Sequence, residues 1–259
     1  MPVRSDQRML HFPMSLALRI VFSILLYEKR DFRRDAQTAL AANSQRITYE
    51  GLANIPQTGP LLVIINHYSR PQVSVIWAAL AISSQLPQPP IWLMTSAWTK
   101  RQPGWDVLRT RLTTIIFARL AFIYGFITMP PMPPVVNEIT DRAVSIRRLF
   151  KLVHQNPQSM ICLAPEGQDS SDGTLGQPAQ GTGRLVQQLA KKLKRILPVG
   201  VYDPNGCLFV RFGEVFSLTE ANQDENADEQ VSDELMQAIA ALLPEHLRGR
   251  YNQIKGSHT

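Results

Sequence analysis

Two short polar motifs about a hundred residues apart hold the side chains best suited to chemistry. The first, Asn66-His67-Tyr68-Ser69-Arg70-Pro71-Gln72, follows the apolar run Leu61–Ile65; the second, Ala164-Pro165-Glu166-Gly167-Gln168-Asp169-Ser170, follows Met160–Leu163. His67 is the candidate general base, because an imidazole titrates close to physiological pH and can take a proton from an attacking group. A base histidine works best with an acceptor on its other ring nitrogen, and Gln72 lies five positions on. Glu166 has the chemistry either to bind a substrate hydroxyl or to order the site around it. Gly167 permits a tight turn or a close approach of substrate.

Ser69 and Gln72 also fit an S-x-x-Q capping box, in which the two residues satisfy the first N–H groups of a helix, and Pro71 suits the first helical turn. That reading accounts for both residues without catalysis, and it puts His67 near the positive end of a helix, where anions bind. The loop Gly176-x4-Gly181-Thr182 has the glycine spacing of a phosphate loop but carries Thr where Lys is required, which argues against nucleotide binding. There is no G-x-S-x-G and no H-E-x-x-H, so the usual serine-hydrolase and zinc-protease chemistries have no residues to work with. Neither cysteine, Cys162 or Cys207, has a second Cys or a His within a few residues, so no metal site and no cofactor is expected.

Both motifs need strands to deliver them. Short apolar runs rich in Val and Ile predict strands at 47–49, 61–65, 91–94, 160–163, 196–202 and 207–212, the last two joined by the turn 203–206. Helical spacing predicts helices over 73–82, 105–119, 141–154 and 184–195, with Val231, Leu235, Ile239 and Leu242 marking a closing helix. The segment 121–129 reads as one apolar stretch ending at a proline-rich loop, and 173–183 as a glycine-rich loop. Strands alternating with helices predict an α/β fold, with a mostly parallel central sheet covered by helices and a helical N-terminal region. In such folds ligands gather past the C-terminal ends of the strands, where both motifs fall. The expected organisation is an N-terminal helical segment over 1–45, an α/β domain over 46–250 and a tail over 251–259.

The 259 residues, 44% of them hydrophobic, suffice for a sizeable core. The formal charge of +6 arises from basic clusters at 29–34, 100–111 and 191–195, against an acidic stretch at 220–234. A basic chain suits nucleic acid or an anionic membrane surface, and the absence of a helix-turn-helix, zinc finger or aromatic RNA-binding motif favours the membrane. Residues 14–27 are mostly apolar but broken by Arg19, and are flanked by Arg4, Arg8, Lys29 and Arg30. The run is shorter than the roughly 20 residues that span a bilayer. It reads either as an interfacial helix on an anionic leaflet or as an ordinary core helix.

Taken in order, these residues resemble the glycerolipid acyltransferase family of the lysophosphatidic-acid type. That family carries N-H-x4-D, then F-P-E-G-T-R-S, then V-P-V before a hydrophobic residue; here Asn66-His67-x4-Gln72, Ala164-Pro165-Glu166-Gly167-Gln168-Asp169-Ser170 and Leu197-Pro198-Val199-Gly200-Val201 stand at those places. Gly51-Leu52-Ala53-Asn54-Ile55-Pro56 and Leu243-Pro244-Glu245-His246-Leu247-Arg248-Gly249 match its flanks, and the resemblance covers about residues 45 to 250.

The resemblance implies transfer of an acyl group from acyl-CoA or acyl-ACP to a hydroxyl of a lysolipid or other glycerolipid acceptor, on the cytoplasmic side of a membrane. It makes His67 the base and Gln72 its partner, and assigns Asn66, Ser69, Arg70, Glu166, Gly167 and Arg184 to substrate binding. Of the departures from the family pattern, two bear directly on the chemistry. Gln72 replaces an Asp and orients the imidazole without offering it a negative charge; the corresponding loss in a serine-protease triad costs about 10⁴ in turnover. Asp169 replaces an Arg that would meet phosphate, and a carboxylate there repels it. Three readings follow: an acceptor without a phosphomonoester, a phosphate met instead by Arg70 or Arg184, or a degenerate, non-catalytic member that binds lipid or acyl chains.

Overall fold

In the computed structural model, residues 10–68, 74–97, 106–131, 138–168, 173–204, 206–218 and 226–252 are described. Helices α1 (Met14–Leu26) and α2 (Phe32–Ala41) precede β1 (Ile47–Glu50) and β2 (Leu61–Ile65). There follow α3 (Val75–Gln85), β3 (Ile91–Thr95), α4 (Asp106–Tyr124), β4 (Ile127–Met129) and α5 (Ile139–Gln155). The chain then forms β5 (Met160–Leu163), α6 (Thr182–Leu193), β6 (Ile196–Tyr202), β7 (Leu208–Phe212) and α7 (Ala227–Ala240), and ends in single turns at Glu245–Leu247 and Gly249–Asn252.

The seven strands form one sheet in the order β1-β7-β6-β2-β5-β3-β4. All neighbours are parallel except β6 and β7, a hairpin that reverses direction. The expected mostly parallel α/β sheet is therefore present. Its three central strands, β2, β5 and β6, are buried along their whole length, as their unbroken apolar sequences require of strands covered on both faces. Helices α6 and α7 pack on each other and on β2 and β6; α2 and α3 pack together, with α3 reaching β7.

Two boundaries differ from the sequence expectation. Helix α3 begins at Val75, with Ser74 as its N-cap residue; the capping box at Ser69 and Gln72 lies outside the described residues. Helix α4 runs on to Tyr124, so the apolar stretch 121–129 divides into a helix end and strand β4. Gly125 makes the division: its φ of +73° is the left-handed turn that stops a helix, and the Phe126 N–H closes back on the Ala121 carbonyl at 2.9 Å. A continuous apolar run hides such a break, because periodicity alone does not separate helix from buried strand.

Helix α1 buries only Leu16 and Ser23. Met14, Leu18, Val21, Phe22, Leu25 and Leu26, spaced three or four apart along one face, are each at least half exposed. Leu112, Ile115, Ile116 and Phe122 are exposed on α4, which packs beside α1. Among the described residues no helix is long and apolar enough to cross a membrane. A polar staple roots α1 in the fold. Arg30 donates two hydrogen bonds to Asp35 at 2.6 and 2.7 Å and one to Ser23 of α1 at 3.1 Å, and Tyr124 of α4 donates to Asp35 at 2.7 Å. Burial, reinforced by the Asp35 carboxylate, pushes the Tyr124 phenol well above its ordinary pKa, so it remains a donor.

Candidate active site

The site is built where β2 and its two neighbours end. The last residue pair between β2 and β6 is Ile65 with Val199. Asn66 continues that ladder with its side chain. Its Nδ2–H donates to the Val201 carbonyl at 2.8 Å, and its Oδ1 accepts from the Val201 N–H at 2.7 Å. Two residues along, the Tyr68 hydroxyl accepts from the Asp203 N–H at 3.2 Å. Asn66 and Tyr68 are both buried, whereas His67 between them is half-buried. The chain carrying His67 is thus tied to β6 by side chains that copy a strand's backbone bonds. The carboxamide assigned to substrate by resemblance has both its polar atoms on the Val201 backbone.

Glu166 supplies the restraint from the other side. Strand β5 lies parallel beside β2, with Ile64 opposite Leu163, so the residues that follow the two strands emerge together. The Glu166 side chain is only 3% exposed. Its Oε1 accepts from the His67 backbone N–H at 2.6 Å, and its Oε2 accepts from the Gly176 N–H at 2.7 Å. Hydrogen bonds to an ionised acceptor are short and about twice as strong as neutral ones, which fits these lengths. Both carboxylate oxygens thus accept from backbone N–H groups, and the side chain is buried rather than solvated. A Cβ on Gly176 would stand 2.8 Å from Glu166 Oε2, so a larger residue there would have to displace the carboxylate.

The turn after β5 is fixed as well. Gly167 has a φ of +69°, a conformation that favours glycine, and its N–H donates to the Ala164 carbonyl at 3.2 Å. The Pro165 carbonyl accepts from the Ala179 N–H at 2.9 Å and from the Thr182 hydroxyl at 3.3 Å. The glycine-rich loop is therefore drawn back onto the strand end. Arg184 sits exposed in the first turn of α6. The free N–H groups of that turn already have an anion: Asp228 of α7 accepts from the Gly181 N–H at 3.0 Å and from the Arg184 N–H at 2.8 Å. Gly183 lets the two helices touch, because a Cβ there would lie 2.1 Å from the Asp228 carbonyl oxygen.

Of the sequence-predicted site residues, the structure brings together Asn66, His67, Glu166 and Gly167, with Arg184 one short loop away on α6. Ser69, Arg70 and Gln72 lie outside the described residues, as does Asp169. Sequence reasoning missed Tyr68, Gly176 and Asp228. Gly176 had a signal in the glycine-rich loop; Asp228 was one acid among many in the stretch 220–234.

An acyltransferase family model matches residues 46–202, which covers both motifs and the strands that carry them. The chain belongs to the acyltransferase family, and its chemistry is acyl transfer in general. Among solved structures it resembles the crystal structure of the 1-acyl-sn-glycerophosphate (LPA) acyltransferase PlsC from Thermotoga maritima. The identity is 14% over 88% of this chain and 96% of that one, with a TM-score of 0.47. No curated protein matches it.

Proposed function

We propose that the protein is a membrane-associated O-acyltransferase that moves an acyl group from acyl-CoA or acyl-ACP to a hydroxyl of a glycerolipid acceptor, of which a lysolipid is the first to try. His67 removes the acceptor's hydroxyl proton as the oxygen attacks the thioester carbonyl. The tetrahedral intermediate collapses with cleavage of the carbon–sulfur bond, and the imidazolium returns its proton to the departing thiolate. The products are an ester and a free thiol, and no acyl-enzyme forms. Gln72 is the residue that orients the imidazole in this reading, while Arg70 and Arg184 are the cations available to an acceptor phosphate.

The observation that carries the proposal is the pair of hydrogen bonds from the His67 and Gly176 N–H groups to the buried Glu166, which join the two motifs into one rigid unit. A general base held from both neighbouring strands is positioned rather than mobile, which is what proton transfer in a transition state demands. The apolar faces of α1 and α4, with Arg19, Arg109 and Arg111 exposed among them, support a peripheral seat on the anionic cytoplasmic leaflet.

The test is release of free thiol by the purified protein, given acyl-CoA or acyl-ACP and a panel of lysolipids on anionic vesicles. Release should depend on an acceptor, and His67→Ala should lower it by at least a hundredfold. If no acceptor supports release, or if His67→Ala leaves the rate unchanged, the proposal fails. A lipid- or acyl-binding protein without turnover is the reading such a result would leave.

A further inference from the structure

The bonds around Glu166 do not end at Gly176. The residue before it, Leu175, is 5% exposed, and its N–H donates to the Leu247 carbonyl at 2.7 Å. Leu247 belongs to the turns that close the described chain, Glu245–Leu247 and Gly249–Asn252. Those turns lie hard against the same loop. Gly249 has a φ of +54°, and a Cβ on it would stand 2.6 Å from the Leu175 carbonyl oxygen and 3.0 Å from Thr174 Oγ1.

The turns are in turn fixed to the body of the protein. Arg248 Nε donates to the Leu243 carbonyl at 2.9 Å, and Arg250 reaches Asp233 of α7 at 3.2 Å. The Tyr251 ring is 5% exposed and joins the main core. Its phenol oxygen is buried. Burial first, and then the nearby charges of Asp233 and Glu166, push that phenol up to about 12.

We propose that the segment Glu245–Asn252 is a clasp that positions the active site, with Gly249 and Tyr251 as its positioning residues. The connection runs from Leu247 to Leu175, through the peptide bond to Gly176, from Gly176 to Glu166, and from Glu166 to the backbone of His67. Loosening the clasp withdraws the Gly176 N–H from Glu166 and lets the carboxylate release the His67 N–H. Gly249 and Tyr251 act on turnover only through where His67 stands. Their effect on turnover rests on the acyltransferase proposal, whereas the mechanical connection does not.

Two measurements test the clasp. Gly249→Ala places a methyl group against the Leu175 carbonyl; it should lower kcat at least tenfold while KM for the acyl donor changes less than twofold. Introduced into Glu166→Gln, the same change should cost less than a further twofold, because the connection is already cut. Additive losses, or a folded Gly249→Ala protein with unchanged kcat, overturn the proposal. The second measurement uses the unaltered protein and no substrate: residue-resolved amide hydrogen exchange. The His67, Leu175 and Gly176 amides should open as one unit with the amide of Tyr251, more readily than β2. Exchange of His67 at the rate of β2, with Leu175 opening on its own, overturns the clasp even if the chain proves to transfer no acyl group.

Discussion

Replacing Asn66 by Asp changes one atom group and should convert a quiet structural residue into a pH-dependent weakness. The parent carboxamide donates to the Val201 carbonyl at 2.8 Å and accepts from the Val201 N–H at 2.7 Å, and Asn66 is 5% exposed. In N66D an ionised carboxylate keeps the second bond and turns the first into two oxygens facing each other. Leaving the buried carbonyl without a donor and holding a charge beside it costs about 3 kcal/mol. At 1.36 kcal/mol per pKa unit, that raises the introduced carboxyl by about two units, from 3.9 to near 6. The protonated acid can donate to Val201 and restore the ladder. Because the folded pKa lies above the unfolded one, the neutral form protects stability below about pH 4, and the protection is lost as pH rises through about 6. Urea unfolding of parent and N66D in parallel at pH 4.5 and pH 8 measures this directly. The deficit of N66D should be under about 1 kcal/mol at the lower pH and near 3 at the higher. A deficit equal at both values, or below about 0.5 kcal/mol at pH 8, would refute the ladder-extending role of Asn66.

Gly183→Ala should destabilise the fold by about 3 kcal/mol in the same unfolding assay, because α6 and α7 must part to admit a Cβ now 2.1 Å from the Asp228 carbonyl oxygen. The double substitution of Phe22→Ser and Leu26→Ser should weaken co-sedimentation with anionic vesicles by about tenfold or more without altering unfolding, as both side chains are at least 61% exposed. Cys162 should resist a disulfide-exchange reagent at pH 8 until the protein is unfolded, since it is fully buried and burial raises its thiol well above the ordinary range.

The central strands were readable because buried parallel strands are nearly pure apolar runs, as β2, β5 and β6 are; their order in the sheet was not. His67 and Glu166 stood out as candidates because each follows such a run. What they do to each other was not readable. The bond from Glu166 goes to the His67 backbone, and a main-chain N–H leaves no mark in a sequence. Asn66 shows the same limit, since its side chain stands in for a piece of strand that no periodicity announces. The acidic stretch 220–234 concealed Asp228 for another reason: composition counts charges, and only the approach of α7 to α6 picks out the one that caps a helix.

Between Asn66 and Met160 the chain makes an excursion that forms α3, β3, α4, β4 and α5 before returning beside its starting point. Strand β3 rejoins the sheet through just two residue pairs with β5, Ile91 with Ile161 and Trp92 with Cys162. Every bond described around His67 and Glu166 comes from the other part of the fold: β2, β5, β6, the glycine-rich loop and the closing turns. Among the described residues, the bonds given for the His67 backbone and for Glu166 are thus made without α3, β3, α4, β4 or α5. A substitution within one of those five elements leaves the partners of each of these hydrogen bonds unaltered.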